Sequence, residues 1–318
     1  MPRHVAVLFG DQVTASGDEP FTEDEDYNNE NFAGFSEFGR MRDLEFAVAH
    51  HTWYGDGNLE KAWVHDGEWK LVDGVPVDGV YDRVAYSPGI EHRKRRIARE
   101  NPVLNDPGLD RVCKDKFLTS GVFPGLVIDT AIATRQNMER MLEGNGSILR
   151  KRRYGLGGAG VERIEELGDE NVPDEPLDWI VQPFVDSSQG VPGTHIDGMH
   201  DLRAVVAEGD IVLTYARMPG EGEVASNVGA GGDRTEVDLD EFPGEAERIV
   251  DRVEEEFERF EPAVYSVDVM FDTDEEPHII ELNSQPAVGH ALPKSDSERE
   301  RKAMQAVVET IEDRVEGP

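Results

Sequence analysis

The stretch HIIELNSQPAV, His278 to Val288, places a carboxylate, Glu281, and an amide, Asn283, two residues apart at the end of an apolar run that Pro286 stops. Side chains two apart on a strand share a face. Upstream, AVYSVDVMF, 263 to 271, reads as a second strand, and the turn DTDEEP joins the two as an antiparallel hairpin. If Thr273 to Glu276 close that hairpin, Asp272 faces Pro277 and Asp268 faces Glu281. Directly opposed Cβ atoms lie about 4.5 to 5.5 Å apart, so three hard oxygen donors converge. Two carboxylates that close repel, and burying them beside Val and Ile costs several kcal/mol unless a cation neutralises them. A magnesium ion does so, taking one or two carboxylates and keeping positions for phosphates. The alternative is compositional: 67 of 318 residues are acidic, and such a chain pairs carboxylates without a metal.

Farther upstream, SILRKRRYGLGGAGV, 147 to 161, reads as a strand running into a loop that carries Gly155, Gly157, Gly158 and Gly160. Glycines let backbone N–H groups approach phosphate oxygens, and the strand sets Lys151 at the root of the loop as a point charge. A plain hairpin turn explains the same glycines without a ligand. The loop lacks the GxxxxGK[ST] spacing of a P-loop and follows no Rossmann unit with its acidic partner, so both of those classes are disfavoured.

The length, 318 residues, predicts more than one domain. Acidic residues number 67 against 32 basic, a formal charge of −35, which repels nucleic acid and anionic membrane and predicts neither as a partner. The acids are spread between apolar periodic segments, which argues for a folded protein with an acidic surface. That pattern is similar to halophilic proteins, where salt screens self-repulsion to a few ångströms. No run of about 18 apolar residues occurs, and the start, MPRHVAVLFGDQV, enters a strand with no signal-peptide core, so a soluble, cytoplasmic protein is expected. The lone cysteine, Cys113, excludes an internal disulfide and reads as structural.

Strands and helices mix along the chain. HVAVLF, 4 to 9, predicts a buried strand, the acidic Asn-rich insert 18 to 31 a surface loop, and 35 to 50 a helix. KAWVHDGEWKLV folds back at Asp66-Gly67 as a hairpin, and 80 to 86 is a strand. The basic EHRKRRIARE reads as a solvated helix face, being one isolated cluster in an acidic chain. From 114 onward the chain alternates: KDKFLTSG a helix, GLVIDT a strand, ATRQNMERMLEG a helix, SILRKRR a strand. DWIVQPFV, DLRAVVAEGDIVLTYARM and AVYSVDVMF follow as strands, with helices over 243 to 260 and 297 to 315. His195 and His200 read as loop histidines, since their spacing fits no zinc pattern, and Trp53, Trp63 and Trp69 as core.

The order of these segments resembles the ATP-grasp superfamily, and within it carboxylate–amine ligases typified by ribosomal-protein glutamate ligase and glutathione synthetase, from about 105 to 287. KDKFLTSG resembles the segment of the first nucleotide lysine, placed on Lys116 with Lys114 as the other choice. LRKRRYGLGGAGV resembles the second-lysine strand and phosphate loop, implying Lys151, Gly155, Gly157, Gly158 and Gly160 as nucleotide contacts. WIVQPFV resembles the adenine hinge, implying Gln182, Phe184 and Val185; Pro183 stands where many members carry Glu, and Asp186 is the nearest match to the ribose-binding acid. DLRAVV, YAR and SNVGAGG resemble segments that reach phosphates and substrate, implying Arg203, Arg217 and Asn227. SVDVM and IIELNSQPA resemble the magnesium-binding strands, implying Asp268, Glu281 and Asn283 as ligands.

The resemblance implies an α/β (α+β) ATP-grasp fold with an N-terminal α/β domain over 1–104, a central lid over 105–183 and a C-terminal lobe over 184–318. It also implies ATP and one or two Mg²⁺, or Mn²⁺ in its place, as cofactors. The implied reaction joins a small-molecule or peptide carboxylate to an amine through an acyl phosphate, with Arg203 and Arg217 stabilising the developing charge. The alternatives are a nucleotide-binding regulatory protein without turnover and a phosphotransferase of the same fold.

Overall fold

The computed structural model describes residues 2–22, 27–155, 160–220, 233–288 and 298–317. Three sheets carry the described residues. The first holds β1 (Arg3–Phe9), β2 (Leu44–His50), β3 (Tyr54–Gly55), β4 (Asn58–His65), β5 (Trp69–Pro76), β6 (Gly79–Asp82) and β7 (Val103–Leu104) in the order β3-β4-β2-β1-β6-β7, with β5 on β4. β1 runs parallel to β2 and β6, and β6 to β7, as crossovers through α1 (Tyr27–Arg40) and α2 (Glu91–Glu100) require. Parallel strands are covered on both faces, which is why Val5 to Leu8 are wholly buried.

The expected helix over 35 to 50 divides differently. α1 begins at Tyr27, inside the segment expected to be a loop, and 44 to 50 is the parallel strand β2. Asn28, Asn29 and Asn31 are buried in α1, and the Asn29 amide donates to the Phe21 carbonyl and accepts from the Phe21 N–H. Phe32 and Phe35 then join Phe9 and Phe21 in an aromatic cluster with ring centroids 4.9 to 6.1 Å apart. Apolar burial outweighs the polar composition of the insert. His50 closes β2 and also caps the short 3-10 turn His51–Trp53, its Nδ1 accepting from Thr52 N–H at 3.2 Å.

After β7 come α3 (Pro107–Lys114) and α4 (Lys116–Val122), each capped by the aspartate before it, Asp106 and Asp115. The expected strand GLVIDT is absent apart from a bridge of Val127 to Ile279, and β8 (Ala131–Ile132) is all that pairs there. β8, β9 (Ile148–Arg152), β10 (Glu162–Ile164) and β11 (Trp179–Pro183) form the second sheet, antiparallel in the order β10-β9-β11-β8, with α5 (Arg135–Asn145) on it. α5 stops at Gly146, whose φ of 75° is the left-handed cap that glycine adopts without strain.

The third sheet is β14-β13-β12-β15-β16, comprising β12 (Asp201–Ala207), β13 (Asp210–Met218), β14 (Asp233–Glu236), β15 (Val264–Phe271) and β16 (Pro277–Asn283). α6 (Gly244–Phe257) buries Ala246, Ile249, Val250, Val253 and Phe257, the helical stripe that covers one sheet face. α7 (Glu298–Glu316) covers the other face at one end and also packs on the first sheet, so Phe35, Val205, Leu213 and Val307 share one core. Packing therefore crosses the expected chain boundaries: α7 joins the first sheet, and α3 and α4 pack on β16.

Candidate functional site

Arg203 lies opposite Asp268 across β12 and β15, and Asp268 lies opposite Glu281 across β15 and β16. Register partners share a face, so the three form a row. The hairpin reaches this pairing by a route the sequence did not announce. Its loop is one residue longer than expected, with Phe271 facing Pro277 and Val269 facing Ile279, and a β-bulge then restores the expected register from Asp268 to Ser266.

Asp268 has two guanidinium partners. Arg203 donates to both of its oxygens at 2.6 Å, and Arg217 donates to Oδ2 at 2.6 Å while holding Asp201 at 2.7 and 2.8 Å. Burial pushes the Asp268 carboxyl up, but the two guanidiniums more than offset this and hold it below the usual carboxylate range. Asp201 is opposite Arg217 on the adjoining strand, so the network is fixed by sheet register.

Glu281 is in a different position. Its side chain is 21 % exposed against 2 % for Asp268, and its partner is Lys116, 3.1 Å away. Lys116 opens α4 and also donates to the Gly155 carbonyl at 2.7 Å, so it links the third sheet to the glycine loop of the second. Lys151, on β9, is buried; desolvation pushes its ammonium down to about 8, Lys116 adding to this and Glu281 opposing it. Lys114, at the end of α3, donates to Asn283 Oδ1, and burial likewise pushes it down to about 8 while Asp110 and Glu281 oppose. Three ammonium groups, those of Lys114, Lys116 and Lys151, thus lie near the partly exposed carboxylate of Glu281, where the second and third sheets approach each other. Such a field attracts a polyanion.

Asp115 secures the edge of this gap. It accepts from Arg153 Nε at 2.7 Å and Nη2 at 2.6 Å, and from Tyr154 Oη at 3.2 Å, tying the end of β9 to the start of α4. At the other end of the second sheet, Gln182 is buried on β11 and donates to Thr130 Oγ1 at 2.8 Å, while its own Oε1 has no partner. Phe184 donates its N–H to the Ser147 carbonyl at 3.0 Å, its ring under Arg163 at 3.9 Å; Val185 is half-buried; Asp186 is exposed and caps Ser188 N at 2.9 Å. Gly160, at φ 77°, closes the glycine loop. Gly157, Gly158 and Asn227 lie outside the described residues.

Residues that sequence reasoning did not single out include Asp201, Asp115 and Arg153, all partners of expected site residues. The signal for Asp201 was its position two before Arg203 on a strand; nothing local marked Asp115 beyond its capping position. Lys94, in the basic helix expected to be solvated, is buried between Asp82 at 2.7 Å and Asp110 at 3.0 Å. His200 is buried, accepting from Phe271 N at 3.3 Å, a structural role. Burial raises the Cys113 thiol well above its ordinary range, which makes it inert.

The donor set bears on a metal ion. Among the described residues no group of three or more His, Cys, Asp or Glu is disposed to hold one. Both Asp268 oxygens are taken by guanidiniums, whereas Glu281 meets one ammonium and Asn283 Oδ1 accepts from Lys114 and, at 3.3 Å, from the Gln285 N–H. One accessible carboxylate and one amide oxygen fit magnesium, which binds through few protein ligands and leaves its remaining positions to phosphates and water. Asp268, expected as a third ligand, here accepts from Arg203 and Arg217.

Residues 168–306 match the family model of the RimK-like ATP-grasp domain. The glutathione synthetase of Salmonella typhimurium is 30 % identical over 198 residues, 61 % of this chain and 60 % of that one. That of Yersinia pestis is 30 % identical over 152 residues, 46 % of each. The chain spans about half the length of the curated relatives it matches. Among solved structures, a D-cycloserine synthetase superposes with a TM-score of 0.64 at 15 % identity, covering 96 % of this chain and 99 % of that one. The D-alanyl-alanine synthetase A of Vibrio cholerae does so at 0.62 and 13 %, covering 98 % and 99 %. At such identities the likeness is one of fold.

Proposed function

Because the chain belongs to the ATP-grasp superfamily, we propose that it is an ATP- and magnesium-dependent ligase that joins a carboxylate to an amine through an acyl phosphate. The observation that carries this reading is the convergence of Lys116, Lys151 and Glu281 on one gap between two sheets. The unpartnered Gln182 Oε1 supports the nucleotide's orientation, since a buried acceptor without a donor suits an exocyclic amine at that end.

The reaction needs no protein nucleophile. A substrate carboxylate oxygen bonds to the γ-phosphorus of ATP as the bond to the β,γ-bridging oxygen breaks; the amine then displaces phosphate from the acyl carbon. The protein's work is to hold two anions in line, neutralise moving charge and exclude water. Lys116 and Lys151 hold the phosphates. The Lys116 contact with Gly155 and the Asp115 clamp on Arg153 join the end of β9 to the start of α4, which sets both lysines toward the same phosphates. Arg217, the more exposed of the arginine pair, stabilises the transferred phosphoryl, with Arg203 and Asp268 fixing its direction. Glu281 and Asn283 would hold magnesium, which supplies charge neutralisation at the β- and γ-phosphates.

The test is an ADP-release screen of acid and amine pairs in molar KCl with Mg²⁺. Release that needs ATP, acid and amine together, and that Glu281→Gln removes without changing the melting temperature, is the expected result. Release that continues without an amine would make the protein a phosphotransferase, and no release with any pair would make it a binding protein.

A further inference from the structure

Strand β6 ends at Asp82, Arg83 follows it, and the two charges face opposite ways. Asp82 turns into the core, where Lys94 Nζ meets its Oδ2 at 2.7 Å. Arg83 turns to the seam between the first sheet and the turn that follows β16. Its Nη1 donates to Tyr81 Oη at 3.0 Å and to the Pro286 carbonyl at 3.1 Å, with the guanidinium 5.4 Å from the Tyr81 ring centroid. Both acceptors are neutral. In a chain of 67 acids and 32 bases, no carboxylate among the described residues pairs with Arg83, and its Nε and second amino group meet no protein acceptor there.

The position is held firmly. Gln285 Nε2 donates to the carbonyls on either side of Arg83, those of Asp82 at 3.1 Å and Val84 at 2.9 Å. Asn105 fixes the same turn through the Ser284 carbonyl at 2.6 Å. Cations therefore succeed one another as the chain leaves β16: Lys116 at Glu281, Lys114 at Asn283, Arg83 at Pro286. Three residues of extended chain span at most about 10 Å and five at most about 17 Å, so the Pro286 carbonyl that Arg83 meets lies within about 10 Å of Asn283 and within about 17 Å of Glu281, the phosphate end of the row. It also stands at the carboxyl edge of parallel strands, where open α/β sheets receive ligands.

We propose that Arg83 is a substrate-binding residue whose free fork grips a second carboxylate of the acid substrate, remote from the one that reacts. The acid substrate is then a dicarboxylate or a peptide with a free carboxylate. The inference rests on the ligase reading of the same gap: the reacting carboxylate must lie beside Lys116 and Lys151, so a group reaching Arg83 belongs to the far end of the molecule. A guanidinium fork binds a carboxylate through two parallel N–H donors, a geometry lysine does not reproduce.

The test uses glutarate and its monoamide, glutaramate, titrated calorimetrically into the ADP-loaded protein in molar KCl, for wild type, Arg83→Met and Arg83→Lys. Wild type is expected to favour glutarate by roughly 10- to 100-fold. Arg83→Met brings the ratio near one, Arg83→Lys leaves an intermediate value, and ADP affinity is the same in all three. A ratio near one in wild type, a preference kept by Arg83→Met, or ADP affinity falling along with the preference overturns the proposal. Because this is equilibrium binding, its failure is distinct from a failure of the ADP-release screen, which would remove the ligase reading itself.

Discussion

Lys151→Met should stabilise the empty protein and weaken nucleotide binding at the same time. The ammonium of Lys151 is buried on β9, and desolvation, with Lys116 adding and Glu281 opposing, pushes it from 10.5 to about 8. At roughly 1.4 kcal/mol per pH unit, holding that proton in the folded state costs about 3 kcal/mol at pH 7. Methionine keeps the unbranched stem and removes the charge. With part of the gain lost to imperfect packing, about 2 kcal/mol of extra stability remains, or a melting temperature roughly 4 °C higher for a chain of this size. Calorimetric titration with MgATP should show the opposite sign, a roughly 10- to 100-fold loss from one charge-assisted phosphate contact.

The pH dependence gives an internal check. A lysine with a depressed folded pKa leaves the unfolded chain holding more protons between about 8 and 10.5, so wild-type stability climbs across that window. The advantage of Lys151→Met is therefore full below pH 8 and fades toward pH 10.5. Melts in molar KCl at a series of pH values read this directly. A variant that melts below wild type at pH 7 and binds MgATP equally well would refute both the desolvation argument and the phosphate contact.

Two further outcomes follow from the same charges. Asp268→Ala strands the buried guanidiniums of Arg203 and Arg217 and should destabilise by about 3 to 5 kcal/mol, whereas Glu281→Gln, at a more exposed position, should change the urea midpoint little; equal midpoints for the two would mean that Asp268 is no counter-ion. The melting temperature should climb as KCl rises from about 0.1 M to about 1 M, because screening contracts from about 10 Å to about 3 Å; a flat or falling curve would remove the halophilic reading of the charge.

The site was more legible than the scaffold because strand pairing is local and the first domain's packing is not. Two strands and a short turn sufficed to set Asp268 against Glu281, although the loop length was misjudged and a bulge supplied the missing residue. The roles were less legible: sequence shows two oxygen donors facing each other, but only the sheet shows that Arg203 on one neighbouring strand and Arg217 beyond it take one of them. The insert 18 to 31 was misread for the converse reason. Its asparagines signal a loop, yet long-range contacts among Phe9, Phe21, Phe32 and Phe35 convert its end into α1. Arg83 was invisible as a site residue, since its partner Pro286 lies 203 positions away.

The distribution of lysine ties the surface to the site. The chain has eight lysines, and three of them, Lys114, Lys116 and Lys151, face one gap, while a fourth, Lys94, is buried between Asp82 and Asp110. On an acidic surface the long-range field is negative and repels a triphosphate, so the gap must reverse that field over a distance shorter than the screening length. Two devices in the structure do this. Burial of Lys114 and Lys151 keeps solvent from weakening their charges, and pairing of Asp201 and Asp268 with Arg217 and Arg203 removes the nearest carboxylates from the balance. Glu281 is the accessible carboxylate in that setting, which is the condition for one divalent cation to be drawn to it alongside a polyphosphate. At low salt the field of the remaining acids extends farther and opposes the nucleotide; at molar salt it contracts to a few ångströms and the local cations dominate.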